Sequence, residues 1–100
     1  MRDLPLACSL DAPALAGRLA EMRVLGRDAL IAAEPDGVVR FRATPETRRR
    51  LERIVAAEAE CCAFLGLELR EQGGELRLTI SAPEGAEPVA AGMFEAFAGR

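Results

Sequence analysis

Hydrophobic and polar residues alternate along the chain with two different periods, and these periods predict eight elements. A period of two predicts strands at residues 4–10, 28–34, 38–43, 67–70 and 76–81. A helical period predicts helices at residues 11–26, 44–66 and 87–98. Two groups of turn-forming residues, Pro35-Asp36-Gly37 and Gly73-Gly74, each separate two strands and predict two hairpins.

The predicted order, β-α-β-β-α-β-β-α, indicates a single α+β domain over residues 1–100, with a mainly antiparallel sheet and helices on one face. The first six elements match the split β-α-β arrangement, which is ferredoxin-like. In that arrangement the C-terminal ends of the first strand and of the central helix lie at one edge of the domain. Cys8 is near the first of these ends, and Cys61 and Cys62 are near the second. The topology therefore predicts that the three cysteines converge.

The central helix carries one residue that does not fit its pattern. Thr44 suits the N-cap of this helix and Gly66 suits its C-terminal end. At about 100° per residue, the arc that faces the core contains Leu51, Ile54, Val55, Cys62 and Leu65. Glu58 projects into the middle of this arc, one turn before Cys61. A buried carboxylate is costly unless it is paired, protonated or bound to a ligand, and methionine would repair an unpaired one.

The composition excludes several classes of protein. The net charge is −3 and the four aromatic residues are all phenylalanine, so the basic face with stacking rings that nucleic-acid binding needs is missing. No apolar run reaches the roughly 18 to 20 residues that span a bilayer, and the N-terminus has no signal-peptide core. These features predict a cytoplasmic protein whose cysteines stay reduced. Because histidine is absent, a metal site would use thiolate, carboxylate or backbone oxygen.

The three cysteines and Glu58 allow four interpretations. Buried cysteine behaves as a small hydrophobic residue, so the cysteines would be structural. A catalytic thiolate is disfavoured at the C-terminal end of a helix that has no histidine partner. A redox pair of Cys61 and Cys62 is disfavoured because adjacent helical cysteines point about 100° apart, while a disulfide of Cys8 with Cys61 or Cys62 stays open under oxidation. A thiophilic ion displaces thiol protons itself, so Cys8, Cys61 and Cys62 would form a trigonal site, with Glu58 as proton acceptor or weak fourth ligand.

One short segment of the chain resembles known proteins. Glu58-x-x-Cys61-Cys62-x-Phe64-Leu65, preceded by Cys8-Ser9-Leu10, is similar to segments of small bacterial proteins that are associated with, or fused to, MerR-type heavy-metal regulators. The resemblance implies a thiol and carboxylate site at Cys8, Glu58, Cys61 and Cys62. The chain has no DNA-binding segment, so it is not itself such a regulator.

These observations favour a protein that binds a soft metal or metalloid ion as a sensor, a buffer or an accessory protein. Hg(II), As(III) and Cu(I) fit three thiols better than Zn(II), which normally takes four cysteine or histidine ligands. Two alternatives stay open. One is a non-catalytic protein-interaction domain, able to form a homodimer, whose cysteines are merely buried. The other is a thiol-dependent enzyme.

Overall fold

The computed structural model describes residues 12–61 and 64–99, with side chains from residue 16 onward except that of Cys61. The elements are α1 (Ala12–Ala29), β1 (Leu30–Glu34), β2 (Val38–Arg42), α2 (Pro45–Cys61), β3 (Gly66–Gln72), β4 (Glu75–Ser81) and α3 (Glu87–Ala98). The α+β class and the antiparallel sheet are confirmed. The observed order is α-β-β-α-β-β-α, so the predicted order with an additional first strand is wrong for the described chain. That predicted strand, residues 4–10, lies outside the described residues.

The split β-α-β arrangement is also wrong, because the strand order is β1-β2-β4-β3. β2 pairs with β1 on one side and with β4 on the other, and β4 pairs with β2 and β3. Each of the two interior strands is therefore hydrogen-bonded to a described strand on both sides. The predicted arrangement instead requires the first predicted strand, residues 4–10, to lie inside the sheet. The convergence of the cysteines is predicted from the split β-α-β arrangement, so the observed strand order does not support it.

Both predicted hairpins are confirmed. The first closes over Pro35-Asp36-Gly37, where the Gly37 amide donates a hydrogen bond to the Glu34 carbonyl at 3.1 Å. The second closes over Gly73 and Gly74, whose φ angles are +62° and +80°. Two consecutive positive φ angles make the kind of two-residue turn that follows the natural twist of a hairpin, and glycine adopts them without steric cost.

An irregularity in β1 decides which of its side chains reach the core. The register with β2 shifts between Leu30 and Ala32, which places a bulge at Ile31. Leu30 and Ala33 pack against the core, while Ile31 is 43% exposed. Because a bulge inserts one extra residue, the alternation changes face within the strand. The predicted strand at 28–34 is therefore shorter and less regular than its sequence pattern indicates.

The helices share one core with a single face of the sheet. The core residues that are at most 4% exposed are Met22, Leu25, Ala29, Val39, Phe41, Leu51, Ile54, Leu76, Leu78, Ala96 and Phe97. Phe41 of β2 and Phe97 of α3 meet edge to face, with ring centroids 5.6 Å apart. Such aromatic pairs stabilise a core beyond the area that they bury. The predicted placement of the helices on one face is in agreement with this core.

The opposite face of the sheet is charged. Arg40, Arg77 and Arg70 lie side by side on β2, β4 and β3. Arg40 donates hydrogen bonds to Glu34 and Glu75 at 2.9 Å. The hydrogen bond with Glu75 is the main cause that raises the pKa of Arg40, and the charges of Glu75 and Glu34 add to it against the opposing effect of desolvation. Carboxylates on the two neighbouring strands thus compensate the positive charge of Arg40.

α1 does not end at Gly26 as predicted but continues to Ala29. A methyl group on Gly26 would lie 3.0 Å from the carbonyl carbon of Phe97 and would overlap the carbonyl oxygen. Gly26 is therefore the residue that lets α1 approach the backbone of α3. The predicted bounds of α3 are confirmed, and the buried residues of this helix are Met93, Ala96 and Phe97.

The predicted start of α2 is confirmed and its predicted end is wrong. The Thr47 amide donates a hydrogen bond to Thr44 Oγ1 at 3.1 Å, the usual geometry of an N-cap. The described part of the helix ends at Cys61. Gly66, predicted to end the helix, instead begins β3 and pairs with Ser81.

Candidate functional site

Glu58 is buried, as its position on the apolar arc of α2 predicts. Its residue exposure is 1%, and it continues a line of buried residues along α2 that runs through Thr47, Leu51 and Ile54. The spacing of this line is four, three and four residues, which keeps all its members on one side of the helix. A carboxylate at this position has to be compensated inside the protein.

The compensating group is Arg18 on α1, which the sequence analysis did not single out. Arg18 Nη1 donates a hydrogen bond to Glu58 Oε2 at 2.6 Å, and the side chains are 22% and 2% exposed. A charge-assisted bond of this length is among the stronger polar contacts in proteins. The sequence does carry a signal for it, because Arg18 precedes the buried line Met22, Leu25 and Ala29 by the same spacing. Arg18 therefore stands at the end of the buried line of α1, Glu58 stands at the end of the buried line of α2, and their charges are opposite.

Ion pairs show that α1 and α2 run antiparallel. Arg18 pairs with Glu58, and the pairs further along are Glu21 with Arg53 at 3.3 Å and Asp28 with Arg50 at 3.2 Å. Residue numbers rise along α1 while those of their partners fall along α2. The start of α1 and the end of α2 consequently lie at the same end of the helix pair as the contact between Arg18 and Glu58.

The structure places only part of the predicted thiol site. Cys61 is the last described residue of α2, and Cys8 and Cys62 lie outside the described residues. Within residues 12–61 and 64–99, the side chains described form no group of three or more Cys, Asp or Glu residues that would hold a metal ion. A site at Cys8, Glu58, Cys61 and Cys62 thus stays a prediction, to which the structure adds the partner and the burial of Glu58.

An apolar groove lies between the first hairpin and α3, away from the Arg18–Glu58 pair. It has a volume of about 310 Å³ and is lined mainly by the first hairpin turn, the end of β4 and α3. Ile80, Ala90 and Phe94 supply its apolar wall, and neither Arg18 nor Glu58 belongs to it. In the part of the chain that the structure describes, no helix is both long and apolar enough to cross a bilayer.

No protein-family model matches the sequence, and no curated protein or solved structure shows significant similarity to it. The resemblance to proteins associated with MerR-type regulators therefore stays a prediction.

Proposed function

We propose that the protein binds a soft metal or metalloid ion, Hg(II), As(III) or Cu(I), through Cys8, Cys61 and Cys62, as a sensor, buffer or accessory protein. The observation that carries the proposal is the ion pair at the end of the α1–α2 pair, in which the Glu58 side chain is 2% exposed and the Arg18 side chain is 22% exposed. A fold gains little from an ion pair in such a place compared with packed apolar side chains, so its presence beside the cysteine segment favours a role in a site.

In this proposal the cysteines meet at the end of the antiparallel helix pair where α1 begins and α2 ends. Cys61 follows Glu58 by three residues on α2, and residues three apart are neighbours on a helix surface. Cys8 precedes Ala12, the first residue of α1, by four residues. Four residues span at most about 14 Å. This route replaces the one through a first strand. It starts from the described ends of α1 and α2 and from the number of residues between Cys8 and Ala12.

The chemistry of thiophilic ions fits a site that has no histidine. Three thiols and Hg²⁺ give a tris-thiolate anion and three protons, while three thiols and As(OH)₃ give a neutral tris-thiolate and three waters. In the mercury case, Arg18 offers a positive charge near the anion. Because Arg18 binds Oε2 of Glu58, the other oxygen, Oε1, is the one that would accept a thiol proton or contact the ion weakly.

The first test is ion binding by the reduced full-length chain. We expect native mass spectrometry to show one Hg(II) or As(III) per chain, and less binding of Zn(II). At a free ligand concentration 100 times the Kd, linkage stabilises the folded state by about 2.7 kcal/mol, which raises the melting temperature by about 10 °C or more.

Variants separate the thiol site from unspecific binding. Cys61→Ser with Cys62→Ser should abolish the thermal shift for both ions. Cys8→Ser should weaken As(III), which needs three thiols, more than Hg(II), which two thiols still bind. If the wild-type protein shows no shift with any soft ion, the ion-binding proposal fails and the interaction-domain alternative is favoured.

A further inference from the structure

β3 forms one edge of the sheet, and no described strand lies on its outer side. The strand has seven residues and pairs with β4 in an unbroken register from Gly66–Ser81 to Gln72–Glu75. The other edge strand, β1, has five residues and carries the bulge at Ile31. Bulges and short length are usual protections against pairing with another chain, and β3 has neither.

The second hairpin fixes which backbone groups of β3 point outward. Gln72 and Glu75 flank the two-residue turn, so they form a hydrogen-bonded pair. Because hydrogen-bonded and non-hydrogen-bonded pairs alternate, the even-numbered residues of β3 bond to β4. The amide and carbonyl groups of Leu67, Leu69 and Glu71 therefore face the outer edge.

Glu68 and Arg70 of β3 are placed symmetrically about Leu69 and carry opposite charges. If a second β3 pairs antiparallel with Leu69 opposite its own copy, Leu67 lies opposite Glu71 and Gly66 opposite Gln72. The outward groups of residues 67, 69 and 71 then meet each other, as hydrogen-bonded pairs require. Glu68 lies opposite Arg70, twice by symmetry, in the closely spaced non-hydrogen-bonded positions.

Neighbouring registers lack this complementarity. A two-fold axis at Glu68 would place that carboxylate opposite its own copy, and an axis at Arg70 would place two guanidinium groups opposite each other. Like charges directly opposite destabilise antiparallel pairing. Only the register centred on Leu69 pairs all seven residues of the strand and unlike charges at the same time.

The row of arginines on the charged face also favours a second β3 strand beside the first, with a carboxylate next to Arg70. Arg70 has Arg77 as its neighbour on β4, and its side chain is 70% exposed. Its described ion-pair partner is Glu68 of the same strand at 2.9 Å, also well exposed. A second copy would place a further carboxylate on the outer side of Arg70, the side away from Arg77. The row Arg40, Arg77, Arg70 would then be followed by the carboxylate of Glu68 from the second copy.

We propose that two copies of this chain associate through β3, antiparallel about Leu69, and form one continuous eight-stranded sheet. The interface is isologous, as closed dimers require, because the same strand serves both partners. Edge-to-edge pairing supplies backbone hydrogen bonds, and the Glu68–Arg70 pairs set the register. This inference is independent of the ion site.

The test is sedimentation equilibrium of the reduced full-length chain over a wide range of concentration. The wild type should reach twice the mass of one chain. Glu68→Arg and Arg70→Glu should each weaken the dimer by about tenfold or more, because each puts like charges opposite one another twice. The double variant, Glu68→Arg with Arg70→Glu, should restore the wild-type affinity to within a few-fold, since the unlike pairs return with their signs exchanged.

Two controls make the result specific to the strand edge. Glu84→Arg changes the net charge as Glu68→Arg does but lies in an exposed loop, so the dimer should be unaffected. In hydrogen exchange, the amides of Leu67, Leu69 and Glu71 should become more protected as concentration rises, while those of Glu68 and Arg70 are protected throughout. A monomeric wild type, or a dimer that the single reversals leave intact or the double reversal fails to restore, would overturn the proposal.

Discussion

Replacing Gly26 with alanine should lower the free energy of unfolding by about 2–4 kcal/mol, because the new methyl group has no space. It would overlap the backbone carbonyl of Phe97, which cannot turn aside as the end of a flexible side chain can. α1 and α3 would have to separate, and the buried contact between Phe97 and Phe41 would loosen with them. Urea denaturation followed by circular dichroism measures the loss.

Gly17 is the matched control, because it lies in the same helix and a methyl group there would meet no atom of the described residues within 4 Å. Gly17→Ala should therefore stabilise the protein by about 0.5–1 kcal/mol, the usual gain from removing a glycine within a helix. If Gly26→Ala lowers the free energy of unfolding and Gly17→Ala raises it, the loss at Gly26 is due to the contact with α3. Equal effects at both positions would contradict the observed packing of α1 on α3.

Replacing Arg18 with methionine should lower the free energy of unfolding by about 3–5 kcal/mol, since it leaves the buried carboxylate of Glu58 without its described partner. Glu58→Met should cost less, about 1–3 kcal/mol, because the Arg18 side chain is 22% exposed and can turn toward water. The double variant, with methionine at both positions, should return to within about 1 kcal/mol of the wild type. A double-mutant cycle in urea measures the coupling.

The same variants also test the proposed function. If the ion pair serves the thiol site, the double methionine variant should fold normally and bind Hg(II) or As(III) more weakly. If the pair only joins two helices, ion affinity in the double variant should equal that of the wild type. Additive losses in the two single variants would show that Arg18 and Glu58 are not energetically coupled, contrary to the 2.6 Å contact between them.

The sequence predicts the local elements of this fold well, because local elements depend on local patterns. Both hairpins, the Thr44 cap and the bounds of α3 are confirmed. The order of the strands is not predicted, since a period of two shows which side of a strand is buried but not which strand lies beside it. The pairing of β2 with β4 is the contact that overturns the split β-α-β arrangement.

Two residues show why a sequence pattern is ambiguous at single positions. Gly26 follows the last leucine of a helical stripe, where glycine usually ends a helix, yet here it allows the close approach of another helix. Glu58 is correctly predicted to be buried, but its partner is forty residues away on another helix. For this reason the expectation that methionine would repair an unpaired acid is replaced by an expected loss. The convergence of the cysteines stays a prediction.

The strand order has a consequence for how the chain reaches its fold. Each hairpin closes over a short turn, so its contacts are local and form at little entropic cost. β2 and β4, in contrast, can pair only after residues 43–74 have been brought together as a loop. The sheet therefore consists of two hairpins with local contacts, joined by the non-local pairing of β2 with β4. We expect this non-local pairing to limit the folding rate.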